Sequence, residues 1–156
     1  MILNNLSELK QLLNKTQPIL ALDLGAKKIG FAVSDSNYTI AMPLMMKKCD
    51  VFKDKIMHIN DLIDKHKPCL LVIGLPLNMD GSDSLHTQTV RVEIAKISEF
   101  CNVPIYLQDE RMTTKAADSL LKASGGFSRK DRNMIDDSIS AALILESVLL
   151  SIRFIS

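Results

Sequence analysis

The run Ile19-Leu20-Ala21-Leu22 ends in a carboxylate, Asp23, and a tight glycine turn follows at once, Leu24-Gly25-Ala26-Lys27-Lys28. A second apolar run, Ile29-Gly30-Phe31-Ala32-Val33-Ser34, leads away from that turn to Asp35. Short apolar runs bounded by turn residues form strands, and two strands joined this closely pair antiparallel. The hairpin therefore carries an acid at the end of a buried strand. Such a group is expensive unless a metal ion, a ligand or donor hydrogen bonds satisfy it. The chain must bring one of these to Asp23.

The rest of the chain alternates strands with helices. Strands are predicted near 18–24, 29–35 and 39–44, an antiparallel meander punctuated by Gly25 and Ser36-Asn37. Phe52, Ile56, Ile59 and Ile63 recur at helical spacing and predict a helix near 51–66, ended by Pro68. Cys69-Leu70-Leu71-Val72-Ile73 reads as a strand buried on both faces, and Gly74 to Ser82 as the loop after it. Val90, Ile94, Ile97 and Cys101 predict a helix near 84–101, and Val103-Pro104-Ile105-Tyr106-Leu107 a further strand. Two helices near 113–124 and 132–150 follow, separated by Gly125-Gly126-Phe127-Ser128-Arg129-Lys130. The order is βββαβαβαα. Strands that alternate with helices run parallel through right-handed crossovers. The expected fold is α/β, a five-stranded mixed sheet with three antiparallel and two parallel strands, flanked by helices. Ile2, Leu6, Leu9 and Leu13 also fall at helical spacing, so residues 1–17 are expected to form a peripheral N-terminal helix ahead of a domain spanning 18–152.

Composition narrows the function classes. With 156 residues, 47% of them apolar, the chain suffices for one domain with a full core. It has no apolar run long enough to span a bilayer, and its start lacks the basic and apolar pattern of a signal peptide. Cys49, Cys69 and Cys101 are far apart and odd in number, which argues against a disulfide framework and a cysteine zinc site. Reduced thiols in the cytoplasm are the expectation. A net charge of +1 gives no bulk attraction to nucleic acid, so any basic binding surface must be local.

Three acids stand out. Asp23 closes the first strand. Glu110 lies just past the last strand, in Gln108-Asp109-Glu110-Arg111-Met112-Thr113-Thr114. Asp137 leads an apolar stripe of Ala141, Ile144 and Val148 and is expected at the head of the final helix, facing inward. Each has an ordinary reading: a turn residue, a surface ion pair with Arg111, and an acid favoured by a helix N-terminus. Asp136, whose stripe partners include Ser140 and Ser147, fits that cap role better. A sheet with the first strand in its centre lets all three converge. Crowded carboxylates repel one another unless a divalent cation is present. Oxygen ligands suit Mg²⁺ or Mn²⁺, and two such ions about 4 Å apart would hold an attacking water and a leaving oxygen of a phosphodiester in line. His58, His66 and His86 are too scattered to suggest a serine-type triad.

The stretches Ala21 to Gly30 with Ser34-Asp35, Val72-Ile73-Gly74-Leu75-Pro76-Leu77-Asn78-Met79-Asp80-Gly81, Asp109 to Thr114, and Asp137 to Leu145 resemble the YqgF/RuvX family. They cover the chain from about 19 to 150 in family order, and the GLPLNMDG loop is the most distinctive. The resemblance implies a ribonuclease H-like fold and a metal-dependent nuclease. Members look like Holliday-junction resolvases in fold and acid placement, and are also described as maturing the 5′ end of pre-16S ribosomal RNA. The family's catalytic, metal-holding acids fall on Asp23, Glu110 and Asp137, with one or two Mg²⁺ or Mn²⁺ ions. The implied partners are structured RNA or branched DNA, with ribosome-assembly factors in attendance; monomer and homodimer both stay open.

Lys27, Lys28, Asn78, Arg111, Arg129, Lys130 and Arg132 are the candidate nucleic-acid contacts, the last three in an expected mobile basic loop. Two residues depart from the family pattern. Ala26 stands where a Thr is usual, and Lys28, where an Arg is common, keeps charge but loses the planar fork that grips phosphate. Two other readings compete. A nucleotide-binding fold of the actin and sugar-kinase type would need two such domains. A non-catalytic nucleic-acid-binding module would have no use for three acids.

Overall fold

β1 (Ile19–Leu24) is apolar on both sides because it runs through the middle of the sheet; Ile19, Leu20, Ala21 and Leu22 are fully buried. The computed structural model describes residues 1–111 and 129–154, with the backbone alone over 129–137. β2 (Lys28–Ser34) pairs antiparallel with β1, and β3 (Ala41–Lys48) antiparallel with β2. β4 (Leu70–Leu75) pairs parallel with β1 on its other side, and β5 (Ile105–Asp109) parallel with β4. The order across the sheet is β3-β2-β1-β4-β5, the mixed five-stranded arrangement expected.

Helices cover both faces. Along each strand alternate residues face opposite ways. Leu20, Leu22, Phe31, Leu71 and Ile73 point to one face, where α2 (Phe52–His66) and α3 (Leu85–Phe100) add Ile59, Leu62, Val90, Ile94 and Ile97. Ile19, Ala21, Ala32, Leu70 and Val72 point to the other, covered by α1 (Leu6–Leu12) and α4 (Arg129–Phe154) through Leu9, Ala141, Ile144, Leu145 and Val148. Among the described residues no helix is long and apolar enough to cross a membrane. Cys49, Cys69 and Cys101 are free thiols.

Several boundaries differ from those expected. Ile2 is not helical. It bridges Ile105, and Leu3 N–H donates to the Ile105 carbonyl at 2.7 Å, so the chain start lies along the outer edge of β5. The helix begins after Asn5, whose side chain accepts from Glu8 N–H at 2.9 Å. Gly74 belongs to β4 rather than to the loop, because Gly74 and Leu75 still pair with Gln108 and Asp109. The final helix starts at Arg129, so Arg129-Lys130-Asp131-Arg132 forms its first turn instead of a loop, and Asp137 lies in its third turn instead of at its head. The helix expected near 113–124 lies outside the described residues.

A lysine ties the helical layer to the first turn. Lys55 shares the inward stripe of α2 with Phe52, Ile56 and Ile59, and its side chain is 2% exposed. Its Nζ donates to the Gly25 carbonyl at 2.6 Å and to both carboxylate oxygens of Glu93 on α3, at 3.0 and 3.1 Å. A buried ammonium is tolerated only when so completely partnered. The carbonyl it holds sits two residues beyond Asp23. Lys55→Met should therefore cost about 2–3 kcal/mol in urea denaturation, because Glu93 loses its counter-charge and Gly25 its donor. Adding Glu93→Leu should recover part of that loss. A cost under about 0.5 kcal/mol would mean the contact is incidental.

Candidate active site

The register of the sheet brings the acids together. Asp23 stands opposite Gly30 in β2, and Ala21 beside Val72 in β4, so Asp23 and Gly74 share the face that α4 covers. β4 and β5 stay in register to Leu75–Asp109, and Glu110 N–H donates to the Leu75 carbonyl at 3.2 Å, adding one residue to the ladder. From there the Glu110 side chain folds back over Gly74. A Cβ on Gly74 would lie 2.5 Å from Glu110 Oε2 and 2.5 Å from Ile144 Cδ1, closer than atoms can approach. Glycine at this point of a strand leaves the room that the carboxylate occupies.

Glu110 pays electrostatically for that position. Burial first, then the negative charges of Asp23 and Asp109, push its carboxyl from 4.5 up to about 8. Asp23 thus lies near enough for its charge to act on Glu110. The third acid, Asp137, lies on α4 one helical turn before the buried Ala141. Its side chain, like those of Asp136, Arg129, Lys130 and Arg132, lies outside the described residues.

The other candidate residues take several positions. Arg111 sits on Asp109, not on the Glu110 that precedes it. Its Nη2 lies 2.6 Å from Asp109 Oδ2, its Nε donates to the same oxygen at 2.7 Å, and its Nη1 donates to the Met79 carbonyl at 3.1 Å. It ties the end of β5 to the loop after β4. Burial works to raise the Asp109 carboxyl, but the bonds from Arg111 outweigh it and hold it below its ordinary value. Asn78 is turned inward on its own loop. Its Nδ2 donates to Ser82 Oγ at 3.0 Å, its N–H to the Ser82 carbonyl at 2.9 Å, and Gly81 closes the turn with φ +89°. Ala26, Lys27 and Lys28 are exposed at the β1–β2 turn, beside Asp23.

Two converging carboxylates, one of them raised well above its ordinary range, match what a divalent cation requires: oxygen ligands that gain from being neutralised. Asp23 and Glu110 fit such an ion.

Residues 17–151 match the family described as "RuvX: Holliday junction resolvase". A relative from Rickettsia africae named "Putative pre-16S rRNA nuclease" is 45% identical over 153 residues, covering 98% of this chain and 99% of the relative. One of the same name from Rickettsia bellii is 44% identical with the same coverage. The chain belongs to the RuvX family. The RuvX fold is ribonuclease H-like. RuvC from T. thermophilus in complex with a Holliday junction substrate superposes with a TM-score of 0.55 at 10% identity, covering 88% of this chain and 97% of that one. Fowlpox virus resolvase with Holliday junction DNA gives 0.52 at 13% identity, covering 86% and 98%.

In this RuvX chain, sequence reasoning missed three participants. Gly74 reads as loop in sequence, although a lone glycine ending an apolar strand is itself a sign of close approach. Lys55 falls at i+3 from Phe52 on the inward stripe, a position that should have marked it as buried. Asp109 is the partner of Arg111, where the sequence suggests Glu110.

Two outcomes follow from this geometry. Gly74→Ala should displace Glu110 or Ile144, cost about 1–3 kcal/mol in urea denaturation and depress nuclease activity with it; unchanged stability and activity would contradict the packing. The second concerns pH. In EDTA the folded protein holds the Glu110 proton more tightly than the unfolded chain does. Stability is then greatest below about pH 4.5 for this group and declines as pH rises toward about 8. Asp35, held at about 2 by bonds from Thr39 and Ile40 that outweigh its burial, acts oppositely but only at lower pH. Urea midpoints between pH 5 and 9 should fall for wild type and stay flatter for Glu110→Gln.

Proposed function

We propose that this chain is a nuclease that hydrolyses phosphodiester bonds in structured nucleic acid, with 5′-end maturation of pre-16S ribosomal RNA in the cytoplasm as its role. The observation that carries the reading is the Asp23–Glu110 pair at the carboxyl ends of β1 and β5, the end of the parallel strands where α/β folds place their sites. The acids would hold one or two Mg²⁺ or Mn²⁺ ions, with Asp137 as the third ligand. Bound there, a divalent ion supplies the positive charge that lets both acids ionise and that an attacked phosphodiester needs.

The chain's own groups do the rest. Gly74 leaves Glu110 room to reach Asp23. Lys55 holds the turn that follows Asp23, at the Gly25 carbonyl. Arg111, fixed by Asp109, sets the loop that borders Glu110. Lys27 and Lys28 add positive charge beside the acids, where a phosphate backbone would lie. Ribosome-assembly factors would accompany the RNA.

Branched DNA is the second reading, favoured by the resolvase description of the matched family. A binding module without catalysis is the third. One comparison separates them. Wild type, Asp23→Asn and Glu110→Gln are assayed with Mg²⁺ on a pre-16S 5′ leader RNA and on a four-way DNA junction, and binding is measured in parallel. The leader should be cut, and each variant should lose on the order of 10²–10³-fold in rate while still binding. Cutting of the junction alone would favour the resolvase reading. Binding without cutting of either, by wild type, would leave the binding module.

A further inference from the structure

The loop after β4 spends its side chains on itself. Asn78 Nδ2 donates to Ser82 Oγ at 3.0 Å, and Asp80 Oδ1 accepts from Ser82 N–H at 2.9 Å and from its hydroxyl at 2.6 Å. Asp83 accepts two bonds from Arg91, at 2.8 and 3.1 Å, and Ser84 caps α3 by accepting from Thr87 N–H at 3.0 Å. Thr87, fully buried, donates in turn to the Pro76 carbonyl, and Leu77 packs against the core. From Leu77 to Ser84, the side chain with no such role among the described residues is that of Met79, which is 66% exposed.

The Met79 backbone, by contrast, is fixed. Gly81 N–H donates to the Asn78 carbonyl at 2.8 Å, closing a four-residue turn in which Met79 is the second, corner residue. Asparagine first and glycine fourth suit such a turn. The Met79 carbonyl accepts from Arg111 Nη1 at 3.1 Å, and Arg111 is locked on Asp109. Arg111 directly follows Glu110 in the chain. The corner is therefore pinned, through one guanidinium, to the strand end that carries the acid. Single exposed apolar residues are ordinary on a protein surface. Met79 differs in its placement: a polar residue at this corner would be fully solvated, and the chain instead holds apolar surface in water beside an acid pair.

We infer that Met79 meets the face of a nucleobase next to the attacked phosphate, at a place where base stacking is broken. A thioether carries no charge and is only a weak acceptor, so phosphate is not its ligand. Its chemistry suits an aromatic face or an apolar gap. In continuous duplex both faces of each base are covered by neighbours. A branch point, a bulge or an unpaired end uncovers one, and apolar side chains, methionine among them, enter such steps. The pinned turn fixes where the methionine stands, while its unbranched side chain adapts to any base. The contact rests on the placement of the phosphate at Asp23 and Glu110. It adds to that reading a selection among structures, which contacts to phosphate alone do not make.

Affinity is measured in EDTA, where no cleavage occurs, on two matched pairs of probes. One pair is a four-way DNA junction and a linear duplex of the same arms; the other is a pre-16S 5′ leader RNA and a fully paired RNA duplex. Wild type should favour the broken structure in each pair. Met79→Ala should lose roughly two- to tenfold on the junction and the leader and nothing on the duplexes. Met79→Leu, similar in volume, should keep the wild-type ratio. Met57→Ala, which removes a methionine 50% exposed on α2, should match wild type, and the urea midpoint of Met79→Ala should not move. With 2-aminopurine at the branch point, wild type should change the fluorescence on binding and Met79→Ala should change it less. The base contact is overturned if Met79→Ala keeps the wild-type ratio, as a methionine that serves a protein partner would. It is overturned equally if Met79→Ala weakens all the probes alike, or if wild type shows no preference to lose. Cleavage by wild type with Mg²⁺ is scored separately. Cutting with an unchanged Met79→Ala ratio sinks the base contact alone, whereas the expected ratios without cutting sink the nuclease reading alone. A loss confined to one pair identifies whether the base met belongs to RNA or DNA.

Discussion

Glu110 folding back over Gly74 toward Asp23 is the contact on which the rest of the arrangement depends. A carboxylate there faces burial and two neighbouring negative charges, and its proton affinity rises to about 8. Among the described residues the layer around Glu110 is otherwise apolar, so packing alone does not call for so costly a group. Ile144 reaches the same point from α4, and an apolar residue in place of Glu110 would complete that layer at lower cost. The energy spent on the pair is intelligible if its purpose is to meet positive charge that arrives from outside.

The surroundings of the pair are correspondingly stiff. On one side, Lys55 reaches from α2 to the Gly25 carbonyl and is itself neutralised by Glu93 on α3. On the other, Arg111 joins Asp109 to the loop after β4. That loop is closed by its own hydrogen bonds between Asn78, Asp80 and Ser82. The two acids thus come from β1 and the end of β5, the strands on either side of β4, and the segments that carry them are tied by charged groups outside the sheet. Pre-organisation of this kind lowers what a site must pay to reach its working geometry.

Much of this was legible in the sequence, and the failures have physical causes. Apolar runs separated by turns gave the strand order, since each run is long enough to be buried and too short to be anything else. Asp23 and Glu110 were visible because acids at strand ends are costly. Gly74 reads as loop because Gly-Leu-Pro composition suggests a turn, whereas pairing with Gln108 keeps it in the strand. The last helix begins earlier than its apolar pattern suggests because its first turn, Arg129-Lys130-Asp131-Arg132, is all polar in sequence. Lys55 escaped because a lysine is ordinarily solvated, and only the carbonyl and carboxylate that meet it make burial possible. The family resemblance names the acids as a set, whereas the Gly74 cradle and the partner of Arg111 depend on the register of the sheet.

The most direct test of the account is the proton released when a divalent ion binds. Calorimetric titration of Mn²⁺ into the protein at pH 7, in two buffers of different ionisation heat, counts that proton. With Glu110 titrating near 8, binding should release close to one proton, and Glu110→Gln should release almost none. Binding with no proton released by wild type, or no binding at all, would contradict the claim that Asp23 and Glu110 form a cation-ready pair.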